Sequence, residues 1–372
     1  MDAAAAILSG AQRPVILAGR GSRSDAAWAA RIALAERLGA VVMSDLKSGA
    51  MFPTDHPAHV VAPFNALPKP AREILCEADA ILSLDWVDLG GALKQAGAVS
   101  AKIVAASLDQ FLHNGAGMEY QALAPADVFM ATTSDAAVAE LVAALGPGKK
   151  APWKIRAPAK RKEATGDVVT LDGIATGLRA AFNDPERVTF SLLNRGWPSD
   201  IWPFTSALSY LGKDGGGGLG SGPGLSVGAA VALERMGRYA VSVLGDGDFC
   251  MGATAIWTAV RHRIPMLILI DNNRSYFNDE LHQENVARQR GRDVRNRWIG
   301  LRMEDPMPDI ATLARGQGAT GIGPVTKAAD VAGALEEGVA VLKQGGVCVI
   351  DFHVDPGEDR TSPASVGQRK TR

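Results

Sequence analysis

Short apolar runs rich in β-branched residues recur along this chain, and longer alanine- and leucine-rich stretches separate them. Pro14-Val-Ile-Leu-Ala-Gly19 reads as a strand entering the glycine turn Gly19-Arg20-Gly21. Ser24 to Leu38 then reads as a helix, with Trp28, Ile32, Ala35 and Leu38 spaced to share one face. Further strands are predicted at Val41–Ser44, Ala80–Leu84, Ile103–Ser107 and Val128–Ala131. Helical segments near Lys69–Ala78, Gly91–Ala96 and Asp135–Leu145 separate them. After residue 166 the alternation resumes, with helices at Leu171–Phe182, Thr254–Arg261 and Ala328–Leu342. Strands are predicted there at Val188–Leu193, Tyr239–Leu244, Met266–Ile270 and Val347–Val354.

Strand–helix alternation of this kind predicts an α/β protein with mostly parallel sheets covered by helices on both faces. A chain of 372 residues is long for a single core. Two doubly wound domains are therefore expected, residues 1–148 and 167–355, with ligands beyond the carboxyl ends of the strands. Between them, residues 149–166 are rich in Pro, Lys and Arg and lack apolar periodicity, which reads as an exposed linker. The polar, basic end from residue 356 reads as a flexible tail.

Composition adds exclusions. The formal net charge of −1 removes any bulk attraction to nucleic acid or anionic lipid. No apolar run reaches the length of a membrane helix, and the alanine-rich start lacks the basic flank of a signal peptide. Cys76, Cys250 and Cys348 lie far apart, which gives neither a disulfide framework nor a zinc spacing and fits a cytoplasmic protein.

Candidate chemistry lies at two strand ends in the second half. Gly245-Asp246-Gly247-Asp248 follows one apolar strand, and Asp271-Asn272-Asn273 follows the next. If the two strands are parallel neighbours, Asp246 and Asn273 meet at one sheet edge. A carboxylate, an amide oxygen and a backbone carbonyl form a hard oxygen set suited to Mg²⁺, which completes its shell with water and phosphate oxygens. The glycines allow a diphosphate to approach the backbone, and a helix start presents N–H groups to it. Either half alone is more often a simple turn or a helix cap than a site.

Together, GDG and NN, with Asp246 and Asn273 27 positions apart, resemble the diphosphate motif of thiamine-diphosphate-dependent enzymes. The glycine-rich stretch SYLGKDGGGGLGSGPGLSVGAA resembles the segment preceding GDG in the acetolactate synthase and benzoylformate decarboxylase group. The opening ILSGAQRPVILAGRGS resembles that group's central domain. The resemblance implies a central domain followed by a diphosphate-binding domain, with thiamine diphosphate and Mg²⁺ as cofactors. It implies Asp246, Asn273 and the backbone carbonyl of Ser275 as metal ligands, and Gly245, Gly247 and Asp248 as the diphosphate cradle. Asp248 departs from the small Ser or Ala usual there, and its carboxylate is expected to turn away from the diphosphate. Asn194, Arg195 and Gly196 occupy a second diphosphate-contacting position, with Arg195 either an anion partner or a surface arginine. Gly220, Ser221 and Gly222 lie where relatives support the bent cofactor; ungapped matching puts Ser221 at the bulky position, with Leu219 two residues earlier.

The segment Tyr276 to Glu284 lines the substrate pocket in relatives. Asn278, Asp279 and His282 are the candidates there for proton transfer or carboxylate recognition, though Asn278 or Asp279 could equally cap a helix. The arginines at 288, 290, 292, 295 and 297 read as a solvated or subunit-contacting face, or as a grip on an anionic substrate tail.

The activity implied is cleavage or joining of a carbon–carbon bond beside a carbonyl, on a 2-oxo acid or related 2-hydroxyacyl substrate. Relatives carry an amino-terminal pyrimidine-binding domain that this sequence does not display. That domain is expected from a separate subunit, in a hetero-oligomer, or from a homo-oligomer of a longer chain. A non-catalytic cofactor-binding homologue is the alternative. A nicotinamide or flavin oxidoreductase is a remote one, because Gly19-Arg20-Gly21 lacks the third glycine of GxGxxG and only Asp45 offers a ribose-binding acid. Structural flavin in the first domain stays open.

Overall fold

The computed structural model describes residues 1–64, 66–109, 123–155, 167–213 and 218–354. They form two compact units. The first contains the described residues up to 155 together with Pro203–Leu208, and the second contains the remainder.

The first unit runs α1 (Asp2–Gly10), β1 (Pro14–Ala18), α2 (Asp25–Leu38), β2 (Val41–Asp45), β3 (His59–Phe64), α3 (Lys69–Glu77) and β4 (Ala80–Leu84). It continues through α4 (Leu89–Ala96), β5 (Lys102–Ala106), β6 (Val128–Met130) and α5 (Ser134–Ala144). Its six-stranded sheet has the order β3-β2-β1-β4-β5-β6, and its pairings are parallel. Both faces are covered. Ile16 and Ala18 point into a core with α1, α2 and α5, whereas Val15 and Leu17 point into another with α3 and α4. That is why β1 is apolar at every position rather than alternating.

The predicted face of α2 is corrected. The buried residues are Arg31, Leu34, Ala35 and Leu38, while Trp28 and Ile32 are half-buried. Arg31 goes inside because its guanidinium finds partners at Met51 O (2.8 Å), Asp135 Oδ1 (2.9 Å) and Ser22 O (3.2 Å).

Residues 150–155, part of the stretch read as an exposed linker, lie along this unit. Lys150 N donates to Glu36 O at 2.7 Å, and Trp153 Nε1 donates to Pro14 O at 2.9 Å. Residues 156–166 and the tail from 356 fall outside the described residues. The glycine turn also has a packing cause: a Cβ on Gly19 would stand 2.3 Å from Asp85 O. Asp45, the candidate ribose acid, spends its carboxylate on its own turn, accepting from Lys47 N at 3.0 Å and Ser48 N at 2.8 Å.

The second unit runs α6 (Leu171–Ala181), β7 (Val188–Leu192), α7 (Gly222–Arg235), β8 (Tyr239–Gly245), α8 (Asp246–Gly252), α9 (Ala255–His262) and β9 (Met266–Asn272). Then come α10 (Phe277–Gln289), α11 (Ile310–Gly316), β10 (Thr320–Val325), α12 (Val331–Lys343) and β11 (Val347–His353). Its five-stranded sheet has the order β10-β11-β9-β8-β7, again with parallel pairings. One face packs on α7, α8, α9 and α11 through residues such as Leu233, Phe249, Ile256 and Ile310. The other packs on α12, where Gly338 approaches Ile350 and Leu267 closely. The architecture is the expected pair of doubly wound, parallel α/β domains. Among the described residues no helix is long and apolar enough to cross a membrane.

His59, on edge strand β3, makes the first unit acid-sensitive. Its Nε2 shares a hydrogen bond with Ser44 Oγ (2.9 Å), and its ring stacks on Phe52. Burial, with a smaller push from the His56 charge, lowers the imidazole from 6.5 to about 4. The folded state therefore refuses a proton that the unfolded chain accepts. This penalty is absent above pH 6.5 and grows as pH falls toward 4. Allowing for water at the half-buried ring, it reaches about 2 kcal/mol. Urea unfolding between pH 7 and 4 should lose that amount, and His59→Gln should flatten this part of the slope. A variant with the wild-type slope would remove the assignment.

Candidate functional site

The parallel register of β8 on β9 pairs Gly245 with Asp271. Both strands therefore end at one edge, and the next residues out are Asp246, opening α8, and Asn273, just past β9. Asp246 is 3% exposed. Its Oδ1 accepts from Gly247 N at 2.9 Å and its Oδ2 from Ser275 N at 3.1 Å. Asn273 Oδ1 accepts from the same Ser275 N at 3.0 Å. One backbone N–H thus gathers the carboxylate and the amide oxygen. The sharp bend this needs falls on Arg274, which sits at φ +60°.

The two asparagines do different work. Asn272 is buried, donates to Asp351 Oδ1 at 2.8 Å and accepts from Arg274 N at 3.0 Å, so it ties the loop to β11. Asn273 is the one free to face outward with Asp246. Burial, opposed by backbone N–H groups and aided by the nearby Asp351 charge, pushes the Asp246 carboxyl up to about 6. A bound cation reverses that pressure, since a metal ligand must be deprotonated.

These residues fit Mg²⁺. The donors are one carboxylate, one amide oxygen and a nearby carbonyl, all hard oxygens. Among the described residues no group of three or more His, Cys, Asp or Glu could cage a metal unaided. An ion here would need further oxygens, of the kind a phosphate group carries. Gly247 provides the close approach and has no room for a side chain: a Cβ would lie 2.3 Å from the Tyr276 ring. Gly245 is more open, with its nearest neighbour, Asn194 Nδ2, 3.9 Å from a Cβ.

Asp248 turns away from this cradle. Its Oδ1 accepts from Gly220 N at 2.6 Å and Gly222 N at 3.2 Å. Ser221, the residue before α7, makes no side-chain cap, its Oγ donating instead to Gly218 O at 2.8 Å. Asp248 therefore caps α7 from a neighbouring helix, an anion placed where the helix end favours one. Gly220 takes φ +89°, and Leu219 beside it is half exposed.

At the end of β7, Asn194 Nδ2 donates to Asp271 Oδ2 at 2.6 Å, and Gly196 takes φ +79°. Arg195 reaches Asn278 Oδ1 on α10 and feels the charge of Asp279. The α10 helix starts at Phe277 with Tyr276 at its cap position, so the reading of Asn278 or Asp279 as the N-cap is corrected. Both lie in the first turn and are exposed, as is His282. Asn278 and His282 are four residues apart, hence on one helical face. Of the arginine run, Arg288 and Arg297 pair with Glu284, and Arg295 pairs with Asp293.

Two residues of the Tyr276–Glu284 segment are not singled out by the sequence. Tyr276 lies over Gly247, a position hinted at by its place directly after the candidate ligands Asn273 and Ser275. Glu280, on α10, is 2% exposed and accepts from Ser275 Oγ. Nothing in its sequence neighbourhood separates it from the exposed acids beside it.

Comparison with known proteins identifies the family of both units. The model for the thiamine pyrophosphate enzyme C-terminal TPP binding domain matches residues 194–352, and the central-domain model matches residues 1–111. Together they take in well over half the chain, which belongs to the thiamine pyrophosphate enzyme family. The cofactor is accordingly thiamine diphosphate, the same compound, with Mg²⁺ as its usual metal. Sulfoacetaldehyde acetyltransferase of Castellaniella defragrans is 29% identical over 91% of this chain and 60% of its own length. Benzoylformate decarboxylase of Pseudomonas aeruginosa is 32% identical over 33% of this chain and 21% of its own. The chain thus spans about three fifths of the length of the sulfoacetaldehyde acetyltransferases it matches. Among solved structures, the Rhodococcus jostii RHA1 thiamine diphosphate-dependent 4-hydroxybenzoylformate decarboxylase shares the fold. Its TM-score is 0.71 at 22% identity, over 96% of this chain and 64% of that one. Benzoylformate decarboxylase from Polynucleobacter necessarius does so at 0.72 and 20%, over 94% and 62%.

The Asp248 clasp is testable through its steric partner. A Cβ on Gly222 would stand 2.1 Å from Asp248 Oδ2. Gly222→Ala should therefore cost about 1–3 kcal/mol by overpacking. Asp248→Ser should cost a similar amount through lost hydrogen bonds. Combined, the two should cost clearly less than their sum in denaturant unfolding. Additive losses would contradict the clasp.

Proposed function

We propose that this chain supplies the metal- and diphosphate-holding half of a thiamine-diphosphate active site that cleaves or forms a carbon–carbon bond beside a carbonyl. The substrate is a 2-oxo acid or a related 2-hydroxyacyl compound. The observation that carries this reading is the convergence of Asp246 and Asn273 on the single N–H of Ser275. Asp246, Asn273 and the Ser275 carbonyl would hold Mg²⁺. Gly245 and Gly247 would admit the diphosphate to the start of α8, and the Asp248 N–H would face it while its carboxylate braces Gly220–Gly222. When bound, thiamine diphosphate supplies the carbon that stabilises a carbanion, and that chemistry belongs to the cofactor.

The chain's own residues bind and orient. Asn194, Arg195 and Gly196 border the diphosphate from the end of β7, with Arg195 as the cation available to an anionic ligand. Asn278, Asp279 and His282 offer hydrogen bonds and proton transfer on the exposed turn of α10, where Arg195 already meets Asn278. The names of the relatives support both decarboxylation and acyl transfer as the reaction class. The pyrimidine half of the cofactor would rest on a domain from another polypeptide or from a second copy of a longer chain. The domain limits proposed are residues 1–148 and 167–355, joined by 149–166.

The decisive experiment is calorimetric titration of thiamine diphosphate with and without Mg²⁺. Asp246→Ala should weaken Mg²⁺-dependent binding by more than about 100-fold, because a direct ligand matters at least as much as the groups that orient it. Unchanged binding in that variant sinks the reading.

A further inference from the structure

Ser275 is held more firmly than a residue contributing only a backbone carbonyl requires. Its N–H serves Asp246 and Asn273. Its hydroxyl donates to Glu280 Oε1, and Glu280 is a carboxylate buried to 2% exposure on the first turn of α10. Across from it lies the segment ending at residue 303, whose Arg302 bridges Ser275 in antiparallel fashion. That bridge uses the flanking backbone groups, and the Ser275 hydroxyl also lies 3.4 Å from Leu301 O. Tyr276 N donates to Leu301 O at 3.0 Å, and Met303 N donates to Arg274 O at 2.8 Å. The Ser275 carbonyl takes no part in it, so every polar group of this residue but one is committed inside the loop.

Burying a carboxylate is costly unless it is well partnered. The arginines near Glu280 are long-range partners and half exposed. Arg302 Nε lies 3.5 Å from Oε1 and Arg297 Nε 3.9 Å from Oε2. A leucine would fill the same space without the desolvation penalty. The short contact of Glu280 is with Ser275, and what it gains is a fixed hydroxyl.

We propose that Glu280 is a positioning residue: by pinning the Ser275 hydroxyl it sets the direction of the Ser275 carbonyl and so makes the site selective for Mg²⁺ over larger cations. The physical basis is that Mg²⁺ demands near-ideal octahedral geometry, whereas Ca²⁺ accepts longer and irregular coordination. Loosening one ligand therefore penalises Mg²⁺ more than Ca²⁺. The inference rests on the metal-site reading above and deepens it.

The test titrates Mg²⁺ and Ca²⁺ separately into the whole chain with thiamine diphosphate present. The variants are Glu280→Ala, Glu280→Gln, Ser275→Ala and Asp246→Ala. Glu280→Ala should raise the Mg²⁺ Kd about 10- to 100-fold, the range seen when groups behind a metal ligand are removed. The Ca²⁺ Kd should move several-fold less. Glu280→Gln keeps an oxygen for the hydroxyl and should stay within a few-fold of wild type. Ser275→Ala retains its carbonyl and should reproduce the selectivity loss, with no further loss when combined with Glu280→Ala. If Glu280→Ala does not fold, Ser275→Ala carries the same comparison. Equal weakening for both cations, or none, overturns the proposal for Glu280. Wild-type affinity in Asp246→Ala overturns instead the metal-site reading beneath it.

Discussion

The second unit depends on one constraint, the in-register parallel pairing of β8 with β9. Parallel strands leave the sheet on the same side, so Gly245 opposite Asp271 makes Asp246 and Asn273 neighbours without any long side chain reaching across. A slip of one residue would turn either side chain to the other face and end the convergence on Ser275. The surrounding features assume this placement. Tyr276 can cover Gly247, and Asp248 can reach Gly220 and Gly222, only because α8 starts where β8 stops.

The elements legible in the sequence are those whose own residues determine them. Buried parallel strands such as β1, β4 and β9 are buried at every position and mostly apolar, which makes them legible. Strands β3 and β10 are not legible in this way; both are sheet edges that, unlike the edge strand β7, are little buried. Most of their residues are half-exposed, and β10 contains Gly321, Gly323 and Pro324. Helix α7 was hidden by its glycines and its proline. It is fixed instead by contacts distant in sequence: the Asp248 cap, and the buried chain in which Ser242 Oγ lies 2.6 Å from both Ser226 Oγ and Ser191 Oγ. The face of α2 was misjudged for a related reason. Apolar spacing has no means of anticipating that Arg31 finds three partners inside.

The site divides along the same line. Asp246 and Asn273 follow recognisable strands, and their chemistry was readable from their types. The outward turn of Asp248 followed from charge repulsion alone, but its destination, the α7 end, did not. Glu280 could not be singled out, since its partners Ser275, Arg297 and Arg302 reach it only in the closed fold. Local patterns reveal groups that meet a ligand at strand ends. Groups that act by holding another residue still become visible only when the chain has closed on itself.

The carboxyl edge of the second sheet gathers three buried carboxylates, Asp246, Asp271 and Asp351. Two of them have side-chain amide donors, from Asn194 to Asp271 and from Asn272 to Asp351. Asp246 accepts from backbone N–H groups instead, and its carboxyl is pushed up to about 6 from 3.8. Burial therefore disfavours the charged form of Asp246. A protein selected for stability alone would neutralise such a group with one more amide. The amide at hand, Asn273, presents its oxygen to the same N–H as Asp246, adding a second acceptor and no donor. Two oxygens set side by side facing a shared need for positive charge are a poor solution for a fold and a good one for a divalent cation.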